Sequence, residues 1–342
     1  MQAKVYSNAA GFDALAAEWN ELLYNSASDT IFLTHQWQSS WWHHLGDGAP
    51  TLITLRDESG RLVGLAPLYH RLSDDGEWEL NTVGCVDVSD YLDLIVRRGY
   101  EETVYAALLD LLEQPGASNL GWDVINLCNI PQHSPTLAML GPMAAERGYQ
   151  VSTRVQEVCP IVTLEGSWED YLAGLAGKER RELRRKLRKA NPHAGVQWYI
   201  VGRDTAYNLS AEVDKFLHLM ALSHPDKAEF LHEGHRTFMH AVAQAAWDAG
   251  WLELAFLTVW GEPAATMFNF VYNNRTLLYN SGLDVARFFR LSPGIVLAAF
   301  LIQHSINAGR EAFDFLRGDE NYKYQLGGVD TTVHQLFIRR RM

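Results

Sequence analysis

Apolar positions along the chain recur with two alternating periods. Phe12, Leu15, Ala16, Trp19, Leu22 and Leu23 fall at three- and four-residue steps and predict a helix over 12–23. A tryptophan-rich helix is predicted over 37–45, where Trp37 and Trp41 share a face and, with Trp42, read as core. The runs 51–55 and 62–69 read as strands joined across Asp57-Glu58-Ser59-Gly60 in a hairpin. Strands over 77–83 and 91–96 follow, then a helix over 101–112 with Pro115-Gly116 as its stop signal. A strand over 122–127, a helix over 135–147 ending at Gly148 and an extended run over 151–164 complete the first half.

The second half repeats this grammar. Residues 167–190 predict one helix closed by Asn191-Pro192, then a strand over 196–201 and a helix over 206–223. A helix over 234–249 ends on Gly250, and the runs 252–260 and 264–272 form a hairpin across Gly261-Glu262-Pro263. A strand over 275–282, a helix over 293–308 and strands over 311–316 and 333–339 finish the chain. Each half thus reads helix, helix, hairpin, strand, helix, strand, a repeat of architecture and not of residues. The expected fold class is α/β (α+β), in two domains of 1–160 and 161–342 that divide near Pro160. Each is expected to hold a mixed, mostly antiparallel sheet flanked by helices.

Composition narrows the class. The 342 residues are 47% hydrophobic and 20% charged, which excludes a disordered chain or a fibre. The formal net charge is -12, against a protein coated in nucleic acid over its whole surface. That charge is uneven. Residues 178–189 carry eight Lys/Arg and two Glu, so this stretch is +6 and the other 330 residues are -18. Leu172, Leu175, Leu183 and Leu187 give the basic helix a narrow apolar stripe. Cys85, Cys128 and Cys159 are too sparse for a zinc or Cys-x-x-Cys site and are expected to be packing residues in a reducing compartment. The longest apolar run, 295–302, falls far short of the roughly 18 residues a membrane span needs. Residues 1–10 lack the pattern of a signal peptide. The expectation is therefore a cytoplasmic protein. The histidines His224, His232, His235 and His240 offer no third ligand at metal spacing, so no metal is expected.

Two segments carry candidate chemistry. Ser292-Pro293-Gly294 opens a predicted helix, with Ser292 as N-cap, Pro293 in the first turn and Gly294 permitting close backbone approach. A helix start suits an anion, and Arg287 and Arg290 lie just upstream. The second segment closes the strand near 313–316. Asp314, Arg317, Asp319, Glu320, Tyr322, Lys323 and Tyr324 crowd eleven residues there. Asp314 alternates with Phe313 and Phe315, and a carboxylate in an apolar strand calls for a partner such as Arg317 or Lys323.

Residues 281–327, above all Phe313-Asp314-Phe315-Leu316-Arg317-Gly318-Asp319-Glu320 with Tyr322-Lys323, resemble the C-terminal block of the CelD/BcsL-like acetyltransferases. The stretches Leu62-Val63-Gly64-Leu65-Ala66-Pro67-Leu68-Tyr69 and Asp90-Tyr91-Leu92-Asp93 resemble their N-terminal half. That family lies in the GNAT superfamily and is similar to the Fem-like aminoacyltransferases, which carry two GNAT-like domains. The resemblance implies tandem GNAT-like domains, the first degenerate or acceptor-binding. It implies an acyl donor such as acetyl-CoA, held by Arg287, Arg290, Ser292, Gly294 and Ile295. Typical GNAT chains read Arg/Gln-x-x-Gly-x-Gly/Ala at this helix start. Here Arg290-Leu291-Ser292-Pro293-Gly294-Ile295 keeps a basic residue and one glycine. The resemblance further implies a tyrosine acid, Tyr322 or Tyr324, and a carboxylate base among Asp314, Asp319 and Glu320. Arg317, Lys323, Lys227, Arg184 and Arg185 are the candidate substrate contacts. Three readings follow. The first is direct acyl transfer from acyl-CoA to a sugar, polysaccharide (cellulose) or cell-envelope precursor. The second is Fem-like transfer from aminoacyl-tRNA, and the third a non-catalytic scaffold in polysaccharide assembly.

Overall fold

A computed structural model describes residues 1–85, 88–113, 121–202 and 207–340. Contacts between Cα atoms divide the chain into two units, residues 1–157 with 331–342, and residues 158–330. The expected division at 160 placed 331–342 in the second domain. Those residues belong to the first unit because their strand pairs there, with Leu336 opposite Leu127 and Ile338 opposite Ile125. The Pro115-Gly116 stop signal and the predicted first residue of the 206–223 helix lie outside the described residues.

The first unit opens with β1 (Gln2–Tyr6), which the sequence pattern had not suggested, then α1 (Ala10–Tyr24) and α2 (His35–Leu45). Next come β2 (Ala49–Arg56), β3 (Leu62–Leu72), β4 (Trp78–Thr82), β5 (Ile95–Val96) and α3 (Glu101–Glu113). After β6 (Val124–Pro131), a π turn over Thr136–Leu140 leads into α4 (Gly141–Glu146), and β7 (Gln150–Thr163) ends in the second unit. The second unit continues with α5 (Trp168–Gly174), α6 (Gly177–Lys189), β8 (Val196–Ile200), α7 (Leu209–Ser223), α8 (Pro225–Phe230) and α9 (Glu233–Ala249). It then holds β9 (Leu252–Val259), β10 (Glu262–Tyr272), β11 (Arg275–Leu283), α10 (Val285–Phe288), α11 (Pro293–Asn307), β12 (Ala312–Asp314) and α12 (Asn321–Gln325). The last strand, β13 (Val329–Arg339), returns to the first unit.

Strand order in the first unit is β1-β2-β3-β4-β6-β13, with β5 paired to β3. The β4–β6 pair is parallel and the others with a described register are antiparallel. In the second unit the order is β7-β12-β11-β10-β9-β8, with β11–β12 the parallel pair. Each sheet buries one core against its helices. In the first unit Val104, Leu108 and Leu112 of α3 pack with Leu80, Ile125 and Leu336. In the second, Val296, Leu297 and Leu301 of α11 pack with Met267, Leu278 and Phe313. The fold is thus a pair of mixed, mostly antiparallel sheets with helices, as the periodicity indicates.

Three sequence expectations change. The helix over 167–190 is two helices, because Leu175 and Ala176 take extended backbone angles between α5 and α6. The strand over 91–96 shrinks to Ile95–Val96, since Asp93 turns the chain through its own neighbour's N–H. Cys85 and Cys128 are bonded to each other instead of serving as separate packing residues, and Cys159 is a buried cysteine outside that disulfide. The parallel pairing of Asn81 with Asn126 brings the two cysteines near one another, with Cα atoms 6.0 Å apart. A separation of 43 residues hides that from the sequence.

Asp93 is fully buried and accepts hydrogen bonds from Ser28 Oγ at 3.2 Å, Thr136 Oγ1 at 2.5 Å, Ser134 Oγ and the Leu94 N–H. Among the described residues no cation joins this cluster of donors. Burial therefore outweighs the hydrogen bonds and raises its pKa to about 6. The folded chain then keeps a proton that the unfolded chain loses between about pH 4 and 6. Stability from this group is full below about pH 4 and falls as pH rises through about 6, by roughly 3 kcal/mol in all. Urea unfolding of the wild type between pH 4 and 8 is expected to show that slope. Asp93→Asn should flatten it, and an unchanged slope in the variant would refute the assignment.

Candidate functional site

The site grows from the end of β11. Opposite β10, Phe268 pairs with Asn280 and Asn269 with Leu278, so Tyr279 is an extra residue in β11. A bulge of this kind bends its strand and adds twist. On the other edge, β11 pairs with β12 over only three residues, ending at Leu277 opposite Asp314. Past that point the chain after β12 turns away. Leu316 takes a left-handed φ of 57°, unusual for a bulky residue, and its N–H donates to Asp314 Oδ1 at 2.8 Å. Lys323, 2% exposed, donates to the carbonyls of Leu316, Arg317 and Gly318 at 3.2, 2.6 and 3.1 Å and pairs with Glu320 at 2.9 Å. Lys323 therefore holds the turn, and β11 runs on past Leu277 with its β12 ladder finished.

Beyond β11, Asp284 caps α10 by accepting the Arg287 N–H at 3.1 Å, and the chain enters α11 at Ser292 and Pro293. Ser292 is not the N-cap that the sequence suggests. Its φ of 51° is left-handed, its side chain makes no cap bond, and its Oγ accepts from Lys186 Nζ at 2.9 Å. An N-cap residue ordinarily takes β-region angles, which aim its oxygen at the first turn. The first-turn N–H groups of α11 therefore have no side-chain cap, and the half-buried Lys186 stands beside them. A Cβ at Gly294 would lie 2.9 Å from Leu283 Cδ2, so a larger residue there would displace the end of that side chain.

A cavity of about 280 Å³ opens between this helix start and β11. Ser292, Gly294 and Ile295 line one side. Met267 of β10, Ser281 and Leu283 of β11, and Tyr322 of α12 line the rest. Its walls are mainly apolar side chains, with a few polar groups among them. The Tyr322 hydroxyl is held well above its usual pKa, first by burial and then by the charge of Glu320, so it stays protonated.

Lys227 reaches the same strand from α8. Its Nζ donates to Ser281 O at 2.7 Å and Asn280 Oδ1 at 3.0 Å. Burial lowers its pKa, and the Glu320 charge opposes that shift. The loop expected around Lys227 is the short helix α8, begun by Pro225. Gly282 lets the preceding helix pack this closely. A Cβ at Gly282 would lie 2.4 Å from the Met220 backbone nitrogen and 2.5 Å from the Leu219 carbonyl carbon of α7.

The structure thus gathers Ser292, Gly294, Ile295 and Tyr322 on one cavity, with Lys227 behind Ser281 and Glu320 acting electrostatically on both Lys227 and Tyr322. It places the other predicted residues elsewhere. Tyr324 donates to Asp330 at 2.9 Å, and Asp319 is exposed. Arg317 gives its carbonyl to Lys323. Arg287 lies 3.6 Å from Glu262 and 3.7 Å from Asp284, and Arg290 lies over the Phe289 ring. Arg184 pairs with Glu169 at 2.8 Å and Arg185 with Glu182 at 2.6 Å. Lys186 and Ser281 were not singled out from sequence. Lys186 had a signal, because it lies three residues beyond Leu183 and so on the inward stripe of α6. Ser281 had none. Among the described residues no group of three His, Cys, Asp or Glu is placed to hold a metal, and no single helix is long and apolar enough to cross a membrane.

Residues 177–324 match the family model described as acetyltransferase (GNAT) domain, which is less than half of the chain. No curated protein sequence matches. The fold is similar to the crystal structure of FemX, with a TM-score of 0.66 at 10% identity over 98% of this chain and 97% of that one. It is similar to L-PGS from Bacillus licheniformis (TM-score 0.56, 12% identity, 95% and 92% covered). It is also similar to a tandem GNAT protein from the clavulanic acid biosynthesis pathway (TM-score 0.50, 15% identity, 100% of both chains). These likenesses are ones of fold. With the matched domain they support two GNAT-like domains and a transferase of the GNAT superfamily, its donor open.

Replacing Gly282 with alanine should push α7 off β11. The expected cost is about 1–3 kcal/mol, typical of overpacking. A urea midpoint equal to that of the wild type would show that α7 can yield at no cost.

Proposed function

We propose that the chain is an acyl-CoA-dependent acyltransferase that moves its acyl group directly to an amine or hydroxyl of a sugar, polysaccharide or cell-envelope precursor. The reading rests on one juxtaposition: an uncapped helix start with a lysine beside it, opening onto an apolar cavity that ends at a protonated tyrosine. The first-turn N–H groups of α11 and Lys186 suit the pyrophosphate of the donor. The cavity suits its thioester arm. The acceptor's lone pair forms the new bond to the acyl carbon while the carbon–sulfur bond breaks, the departing thiolate takes the Tyr322 proton, and the acceptor's own proton is lost to solvent, from which the tyrosine is reprotonated. No covalent enzyme intermediate is required, as Cys159, the cysteine outside the disulfide, is buried away in the core. The first unit serves the acceptor or the architecture. Acetyl-CoA is the simplest donor of this class, and the resemblance of 281–327 to CelD/BcsL-like acetyltransferases favours a glycan acceptor.

A second reading has its own observation. Arg181 and Arg188 on α6 are in no ion pair among the described residues, and an exposed arginine stripe suits a nucleic-acid backbone. The resemblance to the Fem-like aminoacyltransferases implies aminoacyl-tRNA as the donor in this reading, and the fold likeness to FemX agrees with it. The scaffold reading has no feature of the cavity in its favour.

Calorimetry separates the donors. Acetyl-CoA or a longer acyl-CoA is expected to bind, with Lys186→Met weakening it about tenfold, the worth of one charge-assisted hydrogen bond. Absence of acyl-CoA binding, together with tRNA binding that Arg181→Glu and Arg188→Glu abolish, would replace the first reading by the second. Absence of both would leave the scaffold.

A further inference from the structure

The β9–β10 and β10–β11 connections are two-residue hairpin loops built alike. Val259 pairs with Glu262 across Trp260-Gly261, and Tyr272 with Arg275 across Asn273-Asn274. All four loop residues have positive φ, 52° and 83° in the first loop and 46° and 57° in the second. Such loops favour asparagine and glycine, because a short polar side chain or none eases the left-handed backbone. The second loop follows that preference. The first puts a tryptophan there, and Trp260 is 75% exposed, the highest value for a large apolar side chain among the described residues. A bulky ring that strains its turn and buries little of itself does little for the fold.

Trp260 belongs to a closed rim. Its N–H donates to Gly195 O at 2.8 Å, a few residues past the end of α6. Gly195 makes room for the ring, since a Cβ there would lie 2.3 Å from it. On the other side of the turn, Glu262 stands 3.6 Å from Arg287 on α10. From α10 the chain runs through Phe289 to Ser292, where Lys186 leads back to α6 at 2.9 Å. Phe289 on this rim is 60% exposed and Val285 47%, and both also line the cavity. Cations stand among these apolar groups. Arg287 and Arg290 are exposed, Arg290 lies over the Phe289 ring, and α6 adds the +6 of residues 178–189.

We infer that this rim docks on an anionic lipid bilayer, with Trp260, Phe289 and Val285 entering the headgroup boundary and the surrounding arginines facing lipid phosphates. Exposed rings beside guanidinium groups match a surface that is apolar on one side and phosphate-rich on the other. A nucleic-acid stem would use the arginines alone, since its outer face is phosphate and offers no apolar phase. The charge of the whole chain fits this orientation. The 330 residues outside 178–189 sum to -18, and repulsion between that body and the lipid is screened beyond about 10 Å, whereas a docked rim lies within that distance. The cavity edge then lies at the membrane surface. The inference goes beyond the acyl-transfer reading and does not need it, because docking is measured without donor or acceptor.

Sedimentation with sucrose-loaded vesicles tests the docking on the full chain. Vesicles of phosphatidylcholine and phosphatidylglycerol in equal parts are expected to carry the protein down at about 0.1 M salt, and pure phosphatidylcholine to bind at least about tenfold more weakly. Arg181→Glu with Arg188→Glu should weaken binding to the mixed vesicles about thirtyfold or more. Phe289→Ser with Trp260→Ser should weaken it about tenfold or more, as both rings leave the boundary. A second readout keeps the ring and removes only its emission. Vesicles brominated along the acyl chains should quench part of the tryptophan fluorescence, and Trp260→Phe should abolish that part while still sedimenting. No sedimentation with the mixed vesicles overturns the inference. So does binding that the double serine variant leaves unchanged, or quenching that is the same in Trp260→Phe. Binding of tRNA in place of vesicles, lost in the double arginine variant, assigns α6 to RNA and also overturns it. Failure of acyl-CoA to bind overturns the acyl-transfer reading and leaves the vesicle result standing.

Discussion

The site depends on the early end of the β11–β12 ladder. Two parallel strands that stayed paired would fill the space between them with their own hydrogen bonds. Here pairing stops after Leu277 and Asp314. On one strand the Tyr279 bulge bends the chain. On the other, Leu316 is held in a left-handed conformation by the Asp314 carboxylate and by Lys323, which collects three carbonyls. Strain of this kind, of order 1–3 kcal/mol, persists only where surrounding bonds over-determine it. The buried acid and the buried lysine are those bonds. Lys227 then bonds to Asn280 and Ser281 on the part of β11 that has run beyond the ladder.

The same logic explains the entrance to α11. A serine before a proline should cap a helix, and such a cap is worth about 1 kcal/mol. Ser292 forgoes it and binds Lys186 instead. The helix start therefore keeps free donors and gains a cation, a combination with little value to the fold and much to an anionic ligand. Gly282 and Gly294 fit this picture as spacing devices. One lets α7 lie on β11, and the other lets the α11 start lie against Leu283.

Most of the element order was legible in the sequence, because periodicity reports burial on one face. The hairpins β2–β3 and β9–β10 and the helices α1, α3, α9 and α11 stand close to where apolar spacing puts them. Short elements held by tertiary contacts were not legible. The helices α8, α10 and α12 span four to six residues, too short to set a period. The break between α5 and α6 escaped notice because Leu175 continues the apolar stripe through it. For the site, the segments were legible and the pairings were not. The crowd of polar residues at 314–324 is local in sequence, yet Tyr322 faces the cavity while Tyr324, two residues on, turns to Asp330. Helical rotation separates them, and α12, five residues long, is too short to leave a pattern. The Cys85–Cys128 bond was hidden for a similar reason, since it follows from which strands are neighbours.

Charge distribution sharpens the picture of α6. Its +6 stands out from an otherwise acidic chain and points to one local anionic contact or a solvated face. Much of that charge is answered nearby, as Glu182 pairs with Arg185 and Lys186, and Glu169 with Arg184. Exposed pairs of this kind are worth little to stability, but they do lower the field available to a partner. The cation that differs is Lys186. It is the least exposed of the paired basic residues on α6, it lies on the apolar stripe with Leu183, and it ends at Ser292. A charge held in low-dielectric surroundings acts on a ligand more strongly than one in water. One inward lysine at a helix start thus outweighs several outward arginines for recognition of a compact anion. The arginines would matter most for a long one.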